Sequence, residues 1–349
     1  MAAGPVLVSM ACAPAGGGAS GPSDTLTIGA YSVIREAMRE GVLPAFAAEW
    51  KQRTGRDVRF EESYNASGAQ ARAIASGFDA DVAILSLDGD VDLLAKAGLI
   101  GKDWKARAPR GGTVTRSLVV IGVRPGNPKG IRDWPDLARP GVGVLYADPK
   151  TSGGARWNIN AIYAAGLHPA GPGRAGPDPD AAFALLASIQ KNVLAMDGSG
   201  RQSMATFDRG TGDAVVTYEN ELLLRARQTG HEAPYVVPPA TLRIEGPAVV
   251  VEANARRHDN EALASAFLAF LTSEKGQRIL SEFGFRPLDD ALDHRPQPAR
   301  LLTMADLGGW DRAKTDLYDA GGVWDRLFTD TDTDTSRLAQ QRPGKGRAR

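Results

Sequence analysis

Residues 57–87 read DVRFEESYNASGAQARAIASGFDADVAILSL. Val58–Glu61 reads as a strand, Ser67–Ser76 as a helix closed by Gly77, and Ala83–Leu87 as a second, mostly apolar strand. Ser67 followed three places later by Gln70 is the spacing of a helix-opening box. Strand, helix and strand joined by short connections form the repeating unit of a parallel sheet covered by helices.

The same grammar extends both ways. Leu26–Gly29 is a strand, and Ile34–Trp50 reads as a helix with Met38, Leu43, Phe46 and Trp50 on one face, interrupted at Gly41 and Pro44. Asp90–Ala97 is a helix stopped by Gly98. An apolar run at Thr115–Val123 precedes the turn-rich RPGNPKGIRDW (124–134). Val142–Leu145, Ala214–Tyr218 and Pro247–Glu252 read as strands. Residues 155–167, Ala181–Lys191, Glu261–Leu271 and Ser273–Phe283 read as helices, and the Pro/Gly-rich Pro169–Asp180 as a surface loop. The alternation breaks near 110–115 and again near 235–245. This predicts an α/β protein of two lobes with the chain crossing between them. Residues 25–112 form the first part of lobe 1, 113–240 form lobe 2, and 241–327 return to lobe 1 with the C-terminal helices.

Bulk properties narrow the function. The 349 residues are 43% apolar and 23% charged, with 41 basic and 41 acidic side chains. A nucleic-acid binder carries a basic excess or a clustered basic face. Here the basic cluster is confined to a polar tail, 328–349, which reads as disordered. The single cysteine, Cys12, rules out disulfides within the chain and multi-cysteine metal sites. It ends the apolar PVLVSMAC (5–12) and precedes the linker APAGGGASGPSD (13–24), so residues 1–24 resemble a bacterial lipoprotein signal with Cys12 as the lipidated residue. No Lys or Arg precedes that segment, and Ser9 stands where Leu or Val is usual. No other apolar run approaches the ~20 residues of a membrane span.

Catalytic signatures are missing. His168, His231, His258 and His294 lie in loop-like contexts, read as solvent-exposed, and form no HExxH or close ligand pair. There is no GxSxG elbow and no GxxxxGK[ST] loop. GSGRQS (198–203) and GTGDAV (210–215) both lack the third glycine of a dinucleotide fingerprint. The sequence implies no enzyme, cofactor or metal site.

Four segments instead place small residues at the mouths of helices: AYSVIRE (30–36), SYNASGAQA (63–71), DPKTSGGARWN (148–158) and DGSGRQS (197–203). Helix N-termini carry unpaired N–H groups and a partial positive charge, so small residues there let an anion reach the backbone. The competing reading is capping, for which Ser32, Ser67 and Ser152 are ordinary choices.

These segments, with FAAEWKQRTG (46–55), NPKGIRDWPDL (127–137), FDRGTGDAVVTYENE (207–221), TSEKGQRILSEFGFRP (272–287) and LGGWDRAKTDLYDAGGVWD (307–325), resemble the periplasmic sulfate-binding proteins of ABC importers over residues 25 to 327. The resemblance implies a type II periplasmic binding fold, its two α/β lobes joined by a hinge and closing across the cleft between them on dehydrated sulfate. Its donors would be the backbone N–H groups of Ser32, Ser67, Gly153, Gly154 and Gly200, the Ser152 hydroxyl, and Tyr218. Asp90, Arg156 and Arg201 also match, and would stand behind the ligand or brace the lobes. Ser32 occupies a place where the family usually has Asp, and Tyr218 one where it usually has Trp. Thiosulfate or molybdate on the same fold, or a hydrolase or transferase acting on a sulfate or phosphate ester, are the alternatives. The implied protein is a monomer that binds no nucleic acid and works with an ABC permease. A donor-only site implies sulfate binding nearly flat from pH 6 to 8 and much weaker phosphate binding. Asp88, if turned inward as a proton acceptor, would overturn that.

Overall fold

The computed structural model describes residues 23–168 and 176–329. Cys12 with the rest of the N-terminal segment, and the tail from 330 on, lie outside the described residues. The chain opens with β1 (Ser23–Tyr31), a 3-10 turn (Ser32–Ile34), α1 (Arg35–Ala37), a π turn (Met38–Val42) and α2 (Leu43–Thr54). Where Gly41 and Pro44 were expected to interrupt, the helix continues by widening. Leu43 N–H reaches back to Met38 O, which makes room for a proline ring that has no N–H to give. Next come β2 (Asp57–Asn65), α3 (Ser67–Ala75), β3 (Val82–Ile84), α4 (Asp88–Lys96) and α5 (Trp104–Arg107).

The long β4 (Thr113–Val123) leads to β5 (Val144–Ala147), α6 (Gly153–Leu167), α7 (Pro179–Gln190), β6 (Val193–Asp197), α8 (Gly200–Asp208), β7 (Ala214–Tyr218) and α9 (Glu219–Thr229). The short β8 (Tyr235–Val236) and the long β9 (Ala240–Val250) precede α10 (Glu252–Arg257), α11 (Glu261–Thr272) and α12 (Glu274–Glu282). β10 (Arg300–Leu302) and α13 (Trp310–Ala313) complete the labelled elements, and residues 323–329 are helical.

The strands form one curled sheet in the order β2-β1-β3-β9-β4-β7-β5-β6. β1, β2 and β3 are parallel, and so are β5, β6 and β7. Among the described residues the two parallel sets are joined through β4 and β9, which are antiparallel to each other and to β7 and β3 respectively, while the short β10 lies parallel to β9. The C-terminal end of β9 (Ala248–Val250) pairs with β3, the C-terminal half of β4 (Val119–Val123) pairs with β7, and the two strands pair with each other between. The strand–helix alternation fails at these points because the chain is crossing between halves. β3 and β7 are buried along their whole length, as strands covered by helices on both faces must be.

On the first half, Phe46 of α2 meets Phe267 and Phe270 of α11 at 5.0 and 5.6 Å between ring centroids. After β10 the chain lies against the second half. Trp310 stands edge-on to Trp157 of α6 at 4.7 Å, and the Tyr318 hydroxyl donates to Asn160 Oδ1 at 2.6 Å. The expectation of solvent-exposed histidines fails at His258. Its Nδ1 is 2.7 Å from the buried Asp81 carboxylate and its Nε2 is 2.9 Å from Asp79, and these bonds, Asp81 first, raise its pKa.

A buried ion cluster fixes the junction of the halves. Arg286 donates from Nε and Nη2 to both oxygens of Glu219 at 2.6 and 2.8 Å, and from Nη1 to Asp293 at 2.8 Å. Its backbone N–H bonds to Arg116 O on β4. Glu219 is fully buried at the start of α9, so removing Arg286 leaves its charge with only the longer 3.7 Å pair to Arg295 and the Tyr235 hydroxyl at 3.2 Å. Arg286→Ala should therefore cost about 3–5 kcal/mol of unfolding free energy. Urea denaturation measures it, and a midpoint equal to that of the unaltered protein would count against this role for the cluster.

Candidate functional site

A small enclosed cavity of about 20 Å³ lies where the two halves of the sheet face each other. The first half contributes Tyr31 and Ser32, which end β1 and begin the 3-10 turn, together with Ser67 and Ser86. The second half contributes Ser152, Gly154, Gly200 and Tyr218. Four helical openings thus converge on one space: the 3-10 turn at Ser32 and the first turns of α3, α6 and α8. First-turn N–H groups have no partner within their own helix, and each α-helix adds a partial positive charge at that end.

The side chains show how capping and anion binding coexist. Ser152 Oγ accepts from Ala155 N–H at 3.3 Å as the cap of α6, and Ser199 Oγ accepts from Gln202 N–H at 3.2 Å as the cap of α8. Each hydroxyl used as an acceptor keeps its own proton to donate. Ser67 is different. Its hydroxyl donates to Asp90 Oδ2 at 2.5 Å and accepts from Ser86 N–H at 2.8 Å, so what it has left for the cavity is its backbone N–H.

Tyr218 ends β7, almost fully buried, with its hydroxyl facing the cavity and no hydrogen-bond partner of good geometry. The Ser86 hydroxyl close by is likewise without one. Burial pushes the Tyr218 phenol well above its ordinary value, with Tyr31, Glu221 and Asp90 adding to that and the adjacent Ser86 hydroxyl opposing it, so it stays protonated. A buried donor without an acceptor is costly in a finished fold, and it marks a place where something else accepts.

Asp90, Arg156 and Arg201 do not line the cavity. Asp90 holds Ser67. Burial raises its carboxyl, against the Ser67 bond and the Arg156 and Arg72 charges. Arg156 donates to Pro149 O at 3.1 Å and lies over the Tyr318 ring. Arg201 turns to Glu36 and Glu221 at 2.8 and 3.0 Å. Asp88, the feared acceptor, pairs with Lys105 instead of facing inward. Sequence reasoning missed Ser86, Asn158, Thr217 and Glu221, all of which line the cavity. Glu221 is a carboxyl group on a wall otherwise built of donors and neutral groups. Burial raises it to about 7, while Arg201 pulls it down and Glu36 and Asp208 push it up.

Two α/β halves joined by shared strands, with a small enclosed space walled by both, are the architecture of a solute-binding protein. The sequence agrees: residues 26–286 match the model of the bacterial extracellular solute-binding proteins, and the chain belongs to that family. It is 38% identical over 316 residues to the sulfate-binding protein of Synechococcus elongatus, covering 89% of this chain and 88% of that protein. It is 32% identical to the thiosulfate-binding protein of Pseudomonas aeruginosa, covering 90% of this chain and 95% of that one. Among solved structures, the sulfate-binding protein SubI from Mycobacterium tuberculosis is 37% identical with a TM-score of 0.74, covering 85% of this chain and 100% of that one.

Gly153 and Gly200 make a paired test of the closed arrangement. A methyl group on Gly153 would stand 2.6 Å from Ser86 Oγ, 2.9 Å from Asp90 Oδ2 and 3.0 Å from Ser67 Cβ, all on the opposite half. One on Gly200 would meet nothing within 4 Å. Overpacking of this kind costs about 1–3 kcal/mol, which here opposes closure directly. Small-angle scattering should show Gly153→Ala as a more open particle and Gly200→Ala as indistinguishable from the unaltered protein. Two identical profiles would mean the halves do not meet this way.

Proposed function

We propose that this protein captures sulfate outside the cytoplasmic membrane and hands it to the permease of an ABC importer. The observation that carries the reading is the convergence of four helical openings and the unpartnered Tyr218 hydroxyl on one enclosed space. The sulfate- and thiosulfate-binding relatives support the ligand class. In this reading the backbone N–H groups of Ser32, Ser67, Gly153, Gly154 and Gly200 bind the anion with the Ser152 and Tyr218 hydroxyls. Each is a donor, and sulfate at neutral pH has acceptors on every oxygen and no proton. A phosphate O–H would face donors and remain unmet, at a cost of about 1–3 kcal/mol.

In this reading the lobes are residues 25–112 with 241–302, and 113–240 with the segment after β10 that lies against them rather than returning to lobe 1 as the sequence suggested, hinged on β4 and β9. The work is binding and release, with no bond made or broken. Thiosulfate is the second reading, favoured by the thiosulfate-binding relative and by Tyr218, a longer-reaching donor than the indole usual at that place.

Calorimetric titration with sulfate, thiosulfate, molybdate and phosphate tests the reading. Sulfate or thiosulfate should bind at least about a hundredfold more tightly than phosphate, the scale of a mismatch of about 3 kcal/mol. Equal binding of phosphate would refute binding by donors alone and make the Glu221 carboxyl on the wall the acceptor of a phosphate proton. Tyr218→Phe keeps the ring and removes one donor to a charged acceptor, so affinity should fall about ten- to a hundredfold. A change within twofold would remove Tyr218 from the ligand.

Among the described residues no helix is long and apolar enough to cross a membrane. We assign attachment to a lipid on Cys12. Cys12→Ser should then move the protein from the membrane fraction to the soluble fraction, and an unmodified Cys12 in the unaltered protein would exclude the anchor.

A further inference from the structure

We propose that Arg201 is a latch across the cleft, made when the lobes close, and that it acts on how slowly the anion leaves. This rests on the reading of the cavity as an anion site. Arg201 follows Gly200 directly, at the start of α8 on the second half. Its Nη2 donates to Glu36 Oε2 at 2.8 Å, on α1 of the first half, and leans toward the Val33 carbonyl at 3.5 Å. On its own side the same nitrogen donates to Glu221 Oε1 at 3.0 Å. One guanidinium therefore joins a carboxylate from each half.

The environment of the three groups makes this contact more than a surface pair. The Glu221 side chain is 2% exposed and Glu36 18%, with Arg201 at 31%. Ion pairs screened from water in this way are held much more firmly than exposed ones. Glu221 lines the cavity, where an unpaired carboxylate would repel a dianion, and Arg201 places an offsetting charge beside it. Glu36 lies one helical turn beyond Ser32, whose backbone is a candidate donor, so the first-half partner of the latch moves with part of the binding site. Opening the cleft must break the Arg201–Glu36 bonds, while an anion entering the open form has no need of them. Arg201 does not line the cavity, so it is a positioning residue that acts through Glu36 and Glu221.

The test is stopped-flow tryptophan fluorescence with sulfate on the full chain, for the unaltered protein, Glu36→Gln, Glu221→Gln and a control, Glu62→Gln. Glu62 belongs to a more exposed pair with Arg39 on the same half. The latch predicts that Glu36→Gln raises the dissociation rate about tenfold, changes the association rate less than about threefold and leaves the urea midpoint unmoved, whereas Glu221→Gln, which breaks no bond across the cleft, raises the dissociation rate less than Glu36→Gln does. Glu62→Gln should change neither rate. Dissociation from Glu36→Gln within twofold of the unaltered protein would overturn the latch. If the unaltered protein binds no sulfate, thiosulfate or molybdate, it is the anion reading that falls. Ligand-free small-angle scattering then decides the latch alone: a more open Glu36→Gln particle supports it, and identical profiles refute it.

Discussion

β4 and β9 lie antiparallel over Thr113–Leu118 and Arg243–Pro247, and each then leaves the other to pair into a different half of the sheet. Everything else hangs from that pairing. The parallel strands on either side end at the cavity, so the loops and helix starts that follow them face one another. β1 delivers Ser32, β7 delivers Tyr218, and the turn after β5 delivers Ser152. Open α/β sheets place ligands beyond the carboxyl ends of their strands for this reason. Here two sheet halves do so toward a common space. The ion cluster of Arg286, Glu219 and Asp293, tied to β4 through Arg116 O, stiffens the crossing itself.

The fold was legible where burial on both faces leaves a continuous apolar run, as in β3 and β7. It was illegible where a strand serves two environments. The first part of β9, TLRIEG, looks too polar for a central strand. Glu245 pairs with both Arg243 and Arg116, which offsets charge along the crossing strands. β6 reverses the usual pattern, exposing Leu194 and Met196 on the rim of the sheet. α9 begins at Glu219, immediately after β7 ends at Tyr218, with no turn residue to announce it.

The helix mouths of the site were readable because capping residues and glycines are local signals, fixed by a few neighbours in the chain. Ser86, Asn158, Thr217 and Glu221 reach the cavity by tertiary packing, and nothing within a few residues of each marks it out. Arg201 stood out through resemblance. Glu36, one turn into the helical stretch after Ser32, did not, because its significance is a distance of 2.8 Å to a residue far along the sequence. Ser67 shows the converse: a helix-opening serine whose hydroxyl is consumed by Asp90 and Ser86, leaving the backbone to face the cavity.

The contacts of Trp310 and Tyr318 with α6 bear on the order in which the molecule assembles. α6 carries Gly153 and Gly154 at one end, while Trp157 and Asn160 on its flank are covered by side chains from close to the far end of the chain. Contacts of such wide sequence separation form late, because the intervening chain must first be brought together. During synthesis from the N-terminus, the wall of α6 opposite the sheet stays bare until residues beyond 310 have emerged. A nascent chain can therefore build both sheet halves and still lack the support that fixes the helix opening at Gly153. The helix opening at Gly153 thus gains its full support only once the segment carrying Trp310 and Tyr318 has been made.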